Sequence, residues 1–429
     1  MKHLILCVLF CFPVFSFAAG FEKADMWSGH YTGIANAAVS SVVGAESTYF
    51  NPAGLTTGQG TEISLNFSPS LSKFTGPFTG NTIEKGRQLF SPFMGILGSY
   101  SPTKNLGFGV GYYVSGASRS KFNNVNFSSS DPDFGTITNE AEGKMSLTEW
   151  GFSAAYRFMK NFKIGATWRI SKVDAAFTSL SVTTLGGKPT LINSKLDELK
   201  DTNYSNYRLG LQYTPKDNNW GLGISYRSNI KMVTEGTSSG WLRRNGTTSN
   251  LIGDTVSVGS DFPTQISVGG HYKFNLTNTS FLQYDWTDYS RDTQLTINGT
   301  LKTPVALGNA NLIRNIIFSW RNMHAIRVGH EYALTDSIKL RAGYTWVSQV
   351  TPPLRARATI GSPGSGHVIG LGGGYTTPSG NTDLNLTYGY AWAGGTTIES
   401  DNNVETGVKS WGEYSSRCHS LHMGANFRF

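Results

Sequence analysis

Along most of this chain, apolar and polar residues alternate in segments of about ten residues separated by turn-forming clusters. Near the C-terminus Leu421, Met423, Ala425, Phe427 and Phe429 share one face, while His422, Gly424, Asn426 and Arg428 share the other. The same split separates Leu384, Leu386, Tyr388, Tyr390 and Trp392 from Asp383, Asn385 and Thr387. It also separates Phe162, Ile164, Ala166, Trp168 and Ile170 from Lys163, Thr167 and Arg169. A period of two predicts strands, each with one greasy face. Fourteen such segments run at 61–72, 93–101, 105–116, 145–158, 161–177, 204–214, 219–235, 262–275, 278–290, 323–333, 337–349, 366–376, 382–392 and 418–429.

The gaps between them alternate in length. Those at 73–92, 117–144, 178–203, 236–261, 291–322, 350–365 and 393–417 are long, and those at 102–104, 159–160, 215–218, 276–277, 334–336 and 377–381 are short. Long external loops and tight periplasmic turns around an even number of strands are what a bacterial outer-membrane barrel requires. Its edges must close, because lipid offers no hydrogen bonds to unpaired backbone. The expected fold is therefore all-β, a 14-stranded antiparallel transmembrane β-barrel over residues 59–429, in the bacterial outer membrane. Trp150, Tyr156, Tyr213, Trp286 and Trp392 near segment ends suit the interfacial girdles.

The opposite parity collects the lumen: Glu149, Arg157, Lys163, Arg169, Arg208, Arg227, His271, Lys273, Asp285, Arg327, Glu331, Lys339, Arg341, Asp383, His422 and Arg428. Cations outnumber acids there. Two readings follow: the polar lumen groups pair with one another or with the plug, or one or two of the cations meet a ligand carboxylate.

Before the alternation begins, Lys2, an apolar run from Leu4 to Phe17 and the Ser16-Phe17-Ala18 site predict a signal peptide at 1–18. Residues 19–58 show neither strand nor helix pattern. They are rich in small residues (Gly29, Gly33, Ala35, Ala37, Ala38, Gly44, Ala45) and close on Phe50-Asn51-Pro52-Ala53-Gly54-Leu55. Such a segment packs inside a cavity but builds no core, so it is expected to be an N-terminal plug.

Composition supports this outline. The chain has 50 Gly and 54 aromatics (25 Phe, 19 Tyr, 10 Trp) against 15% charged residues, with no apolar run long enough for a transmembrane helix beyond the signal. Cys418 alone remains after the signal, which excludes an internal disulfide and thiolate metal clusters. The net charge of +8 comes without any basic cluster interleaved with aromatics, so nucleic acid is a poor partner. Anionic outer-leaflet lipid or an anion-friendly lumen fits better. In the loop 178–203, Leu191, Ile192, Leu196 and Leu199 fall at near-helical spacing and predict a short amphipathic helix over the barrel mouth.

These residues resemble the outer-membrane long-chain fatty-acid and hydrophobic-compound transporter family (FadL/TodX-like). Ala19-Gly20-Phe21, the glycine- and alanine-rich segment and Phe50 to Leu55 look like its plug and NPA box. The stretches Asp261 to Gly269, Tyr284 to Ser290, His324 to Gly329, Leu340 to Tyr344, Pro363 to Tyr375 and Leu386 to Tyr390 resemble its later strands. The resemblance implies that Phe21 lies at a gating end in a greasy pocket and that Asn51, Pro52 and Ala53 anchor the plug. It also implies a side exit at the third strand, where Gly107, Gly109 and Gly111 would permit an inward bend. Arg157, Arg169, Lys273, Arg327 and Arg341 are the candidate partners of a ligand carboxylate, without a motif to choose among them.

The expected function is passive, monomeric uptake of a long-chain fatty acid or other hydrophobic small molecule, with no cofactor and no metal. Outer-membrane lipid, lipopolysaccharide and the barrel-assembly machinery, which reads a C-terminal aromatic such as Phe429, are the expected partners. Aromatic hydrocarbons are the rival cargo. A barrel lipid hydrolase using Ser420 and His422, with Asn426 beyond, and a plain porin or phage receptor are the competing classes.

Overall fold

The computed structural model describes residues 27–57, 60–128, 136–291, 293–401 and 409–429. The signal segment and the expected gating end at Ala19, Gly20 and Phe21 lie outside the described residues. Fourteen antiparallel strands close into a barrel. They are β1 (Gly60–Thr79), β2 (Leu89–Thr103), β3 (Leu106–Ser128), β4 (Thr136–Tyr156), β5 (Phe162–Leu185) and β6 (Lys188–Tyr213). Next come β7 (Trp220–Arg227 continuing as Ile230–Arg244), β8 (Ile252–Phe262 continuing as Gln265–Lys273) and β9 (Asn278–Thr287). The ring finishes with β10 (Met323–Ala333), β11 (Ile338–Val347), β12 (Gly366–Thr376), β13 (Thr382–Thr397) and β14 (Gly412–Arg428). β14 pairs with β1, from Glu62↔Arg428 to Thr75↔Ser415, so no edge faces lipid.

Parity holds through the membrane zone. Ile63, Leu65, Phe67, Leu384, Leu386, Leu421 and Met423 are exposed apolar residues on the outer face, while Ser64, Asn66, Asn385, Thr387 and His422 are buried inside. An outward belt of this kind would be an aggregation hazard in water and is the requirement in lipid.

Beyond the membrane the strands are longer than the alternation predicts, and the expected helix is absent. Residues 188–213 form one continuous strand, joined to β5 by Gly186-Gly187, both at positive φ, a two-residue turn suited to a hairpin. The helical spacing arose from a register shift. Ile192 and Leu196 point inward, the ladder slips between Asp197 and Lys200 with Glu198 at φ 54°, and Leu199 is brought to the buried face. One extra residue in a strand therefore imitated a period of 3.6.

Residues 27–57 lie within the ring of strands as three single turns, Tyr31–Ile34, Ser47–Phe50 and Pro52–Thr56, joined by tight loops. Trp27, Ile34, Ala38, Val42, Ala45, Ala53 and Leu55 are almost wholly buried. So are Ser47, Thr48 and Asn51.

Candidate functional site

The plug is seated by backbone-to-wall contacts. Asn51 Nδ2 donates to the carbonyls of Val39 (2.7 Å), Leu211 (3.1 Å) and Ile224 (3.3 Å), and its Oδ1 accepts from Ala53 N (3.2 Å). One side chain thus ties two plug segments to two adjacent strands. Pro52 and Asn51 approach the wall where it carries glycine: a Cβ on Gly165 would meet the Pro52 carbonyl carbon at 2.5 Å, and one on Gly210 would meet Asn51 Oδ1 at 1.9 Å. Arg157 donates to the Thr56 carbonyl (2.7 Å) and Lys163 to Thr57 Oγ1 (2.8 Å). At the other end Glu46 accepts from Ser28, Ser64 and Asn66 at 2.7 to 3.2 Å. Burial pushes its carboxyl above the usual glutamate range despite those bonds.

Above the plug lies a belt of charge. Arg169 Nε donates to Glu149 (2.9 Å), and both side chains are fully buried. Arg327 bonds Asp285 (2.6 Å) and the plug carbonyl of Ala35 (3.0 Å). Lower down, beside His30 of the plug, Arg341 bonds Glu331 (2.7 Å) and Asn385 (2.8 Å). Arg208 and Arg227 sit directly opposite each other on β6 and β7. The Arg208 guanidinium lies 4.7 Å from the Tyr49 ring centre, and its buried Nη1 has no acceptor among the described residues. Tyr49, Phe50, Arg208, Arg227, Asp285 and Arg327 border a cavity of about 50 Å³ between the plug crown and the belt. Lys273 stands apart, on a cavity of about 320 Å³ at the periplasmic side with His30, Lys163, His271 and Glu331.

Immediately above the belt the inward face turns apolar. Met145, Leu147, Val173, Ala175, Phe177, Leu199, Met232, Val256, Val258, Phe262, Met323 and Val347 form one cluster. The connection after β9 folds into it, bringing Ile316, Phe318 and Trp320, whose rings stack at 4.2 Å. Two clefts of about 70 and 60 Å³ lead into this region; they share Phe177, Ile316 and Arg357, and Arg314 lines one of them. The sequence places 291–322 outside as a loop, and the greasy pocket implied by the family resemblance is set at Phe21 without any of these wall residues.

The wall is interrupted at one place beside these features. β2 and β3 pair only from Thr103↔Leu106 up to Gly95↔Tyr113. Above that, Leu89 to Met94 pair with β1 alone, and β3 bulges between Val114 and Gly116 and continues against β4 alone. The two strands rejoin where Arg87 N meets the Lys121 carbonyl (2.7 Å). The window spans about seven residues, roughly 20 Å along the strand. Trp27, Phe93, Leu97 and Tyr113 line its inner rim with Val114 and Ala117. Gly107, Gly109 and Gly111 sit below it in regular pairing. A Cβ on the first two would meet Leu55 O (2.5 Å) and Thr48 Oγ1 (2.3 Å), and one on the third would meet Leu97 Cδ2 (2.9 Å). They make room for the plug and for Leu97, while the bend itself is at Ser115.

Ser420 Oγ and His422 Nε2 are 2.8 Å apart, and His422 Nδ1 is 2.8 Å from Ser68 Oγ. Ser68 donates to the Trp27 carbonyl (2.7 Å) and Ser420 to that of Gly389 (3.3 Å). The group ties the plug to the wall, with every member buried.

A family model for outer membrane protein transport proteins (OMPP1/FadL/TodX) matches residues 9–429. An outer membrane protein of Neisseria meningitidis serogroup B is 24% identical over 344 residues, 72% of each chain. The crystal structure of a Pseudomonas aeruginosa FadL homologue superposes with a TM-score of 0.74 at 16% identity, covering 96% of this chain and 100% of that one. The Pseudomonas putida toluene transporter TodX gives 0.69 at 13% identity, with 95% and 99% covered. A plugged barrel of fourteen strands with an apolar chamber is thus joined to a match over nearly the whole chain, and the protein belongs to the OMPP1/FadL/TodX family of outer membrane transporters of hydrophobic compounds.

Proposed function

We propose that the cargo is a long-chain fatty acid, held with its chain in the apolar cluster and its carboxylate on Arg208. The observation that carries this reading is Arg208, buried beside the Tyr49 ring with its Nη1 lacking an acceptor among the described residues. A buried guanidinium N–H without an acceptor costs on the order of 1–3 kcal/mol. A carboxylate entering from above would supply that acceptor, while the chain would gain about 0.8 kcal/mol for each buried CH₂. Arg169, Arg327 and Arg341 already hold carboxylates, Arg157 holds the plug and Lys273 faces the periplasm, so of the cations lining the lumen Arg208 suits the task best.

Capture would begin at the external clefts around Phe177, Ile316 and Arg357. Release would be sideways through the window between β2 and β3, which sits in the outer half of the apolar band beside Leu71 and Phe90. Phe21 would control that step, and Asn51, Pro52 and Ala53 would hold the plug in place throughout. No energy source is required for a hydrophobe moving down its gradient, and Ser420 and His422 serve the plug, not hydrolysis.

Competition binding of oleate and toluene to the purified protein tests the cargo. Tight oleate binding that Arg208→Met weakens, with toluene a poor competitor, supports the reading. Toluene binding that displaces oleate and ignores Arg208→Met favours the aromatic hydrocarbon transported by the structural relative TodX.

A further inference from the structure

On the lipid-facing wall one row of side chains breaks the apolar band in a way the transport function leaves unexplained. Lys73 on β1 and Arg417 on β14 are direct cross-strand partners, one outward position above the pair Leu71↔His419. Below them, His419 apart, the outward residues are apolar down to Ile63 and Phe427. That run of about ten residues matches the height of an outer-membrane apolar band, which puts Lys73 and Arg417 at its upper border. Lys73 and Arg417 make no ion pair among the described residues. The acid on the same face of β14, Glu413, is four residues higher, about 13 Å along the strand. Two cations directly opposite destabilise the ladder unless an anion lies between them.

The neighbours on the same border are donors and aromatics. Trp392 is the cross-strand partner of Arg417 on β13, and His367 on β12 stacks on it with ring centres 5.3 Å apart. His367 Nδ1 lies 2.7 Å from the Tyr344 hydroxyl, and His419 Nδ1 lies 2.7 Å from that of Tyr388. With each tyrosine hydroxyl donating to Nδ1, the imidazoles carry their proton on Nε2, the nitrogen turned away from the tyrosine. On His367 that nitrogen faces Ser365 Oγ at 3.4 Å, which leaves His419 as the open donor. The result is a four-strand surface of two cations, one open N–H donor and a ring face at headgroup height.

We infer that this surface binds the phosphate groups of the outer-leaflet glycolipid, with Lys73 and Arg417 straddling one phosphate and His419 donating to the sugar or a second phosphate. The inference is independent of which cargo the lumen carries. It explains why part of the positive charge of the chain sits on the outside of the barrel, where an anionic leaflet supplies the counter-charge.

The test uses the full mature protein in a short-chain polyoxyethylene detergent, titrated with diphosphoryl lipid A and read by native mass spectrometry. The wild type should hold lipid A, and Lys73→Gln with Arg417→Gln should weaken it at least tenfold. Inorganic phosphate should not displace it, and dephosphorylated lipid A should not bind. Equal binding by the double variant, equal binding of phosphatidylglycerol, or displacement by inorganic phosphate would overturn the assignment. Heat-modifiable gel migration reports that the variant barrel is folded. As a second measurement, Lys73→Glu turns the repulsion into an ion pair. It should raise the melting temperature in lipid-free detergent and abolish the stabilisation lipid A gives the wild type. A variant no more stable than wild type without lipid would contradict the premise.

Discussion

The lower and upper halves of this lumen are filled by opposite means. Below the charge belt, the plug fits against the wall through glycines and side-chain-to-backbone hydrogen bonds, with Asn51 alone making three to carbonyls. Above it, inward Val173, Ala175, Phe177, Val256 and Val258 meet Phe318 and Trp320 through mainly apolar contact. A polar seat is directional and loses much when a single partner goes; an apolar chamber is non-directional and accepts guests of many shapes. The protein is specific about where its stopper sits and permissive about what lies on top of it.

If that contrast holds, the largest effects come from the seat. Gly210→Leu drives a side chain into the space of Asn51 Oδ1 and should unseat the plug, raising single-channel conductance in a planar bilayer to an open-pore level; a closed variant would show that the plug does not depend on this contact. Asn51→Ala removes three hydrogen bonds worth about 1 kcal/mol each. It should lower hydrogen-exchange protection of residues 27–57 by roughly a hundredfold.

The boundary between the halves comes next. Arg208→Met should weaken oleate by about ten- to a hundredfold, the worth of a charged hydrogen bond, and leave toluene unchanged. In the upper half, Phe177→Ser should weaken both ligands by about tenfold, as expected from lost apolar contact. A loss confined to one ligand would mean that the chamber has a directional site after all.

The smallest effect is one of pH. Docking holds the Glu46 pKa above its ordinary value of 4.5, so the docked plug binds more protons than the undocked one. Docking is then strongest below the ordinary value and weakens as pH rises through the raised one. Plug amides, corrected for intrinsic exchange, should be several-fold better protected at pH 5 than at pH 8. In Glu46→Gln that difference should vanish.

Much of this was legible in the sequence because the barrel enforces a period of two. The fourteen strands, the two faces and the lumen cations follow from parity, and the closing pair β1–β14 is demanded by lipid. What escaped was set by departures from parity. The bulge at Ser115 that opens the wall has no residue type of its own, and the slip after Asp197 made a strand look helical. The chamber left a trace that alternation alone would have revealed: on β5 the inward series Lys163, Thr167, Arg169, Ser171 changes to Val173, Ala175, Phe177. Its other wall, Ile316 to Trp320, came from a connection whose inward fold depends on contacts distant in sequence. Arg208 was collected among the lumen cations but not singled out: counting back from the 215–218 turn sets it against Ser225, and only the Tyr213↔Leu222 register of the folded chain brings it against Arg227.

The division of the lumen is tested most directly by a fatty acid carrying a photoreactive diazirine near its methyl end, cross-linked to the purified protein and mapped by peptide mass spectrometry. The account predicts adducts on Met145, Leu147, Phe177, Phe318 and Trp320, lost when unlabelled oleate competes. Competed adducts confined to plug residues 27–57, or to the outer lipid-facing strand positions, would contradict it.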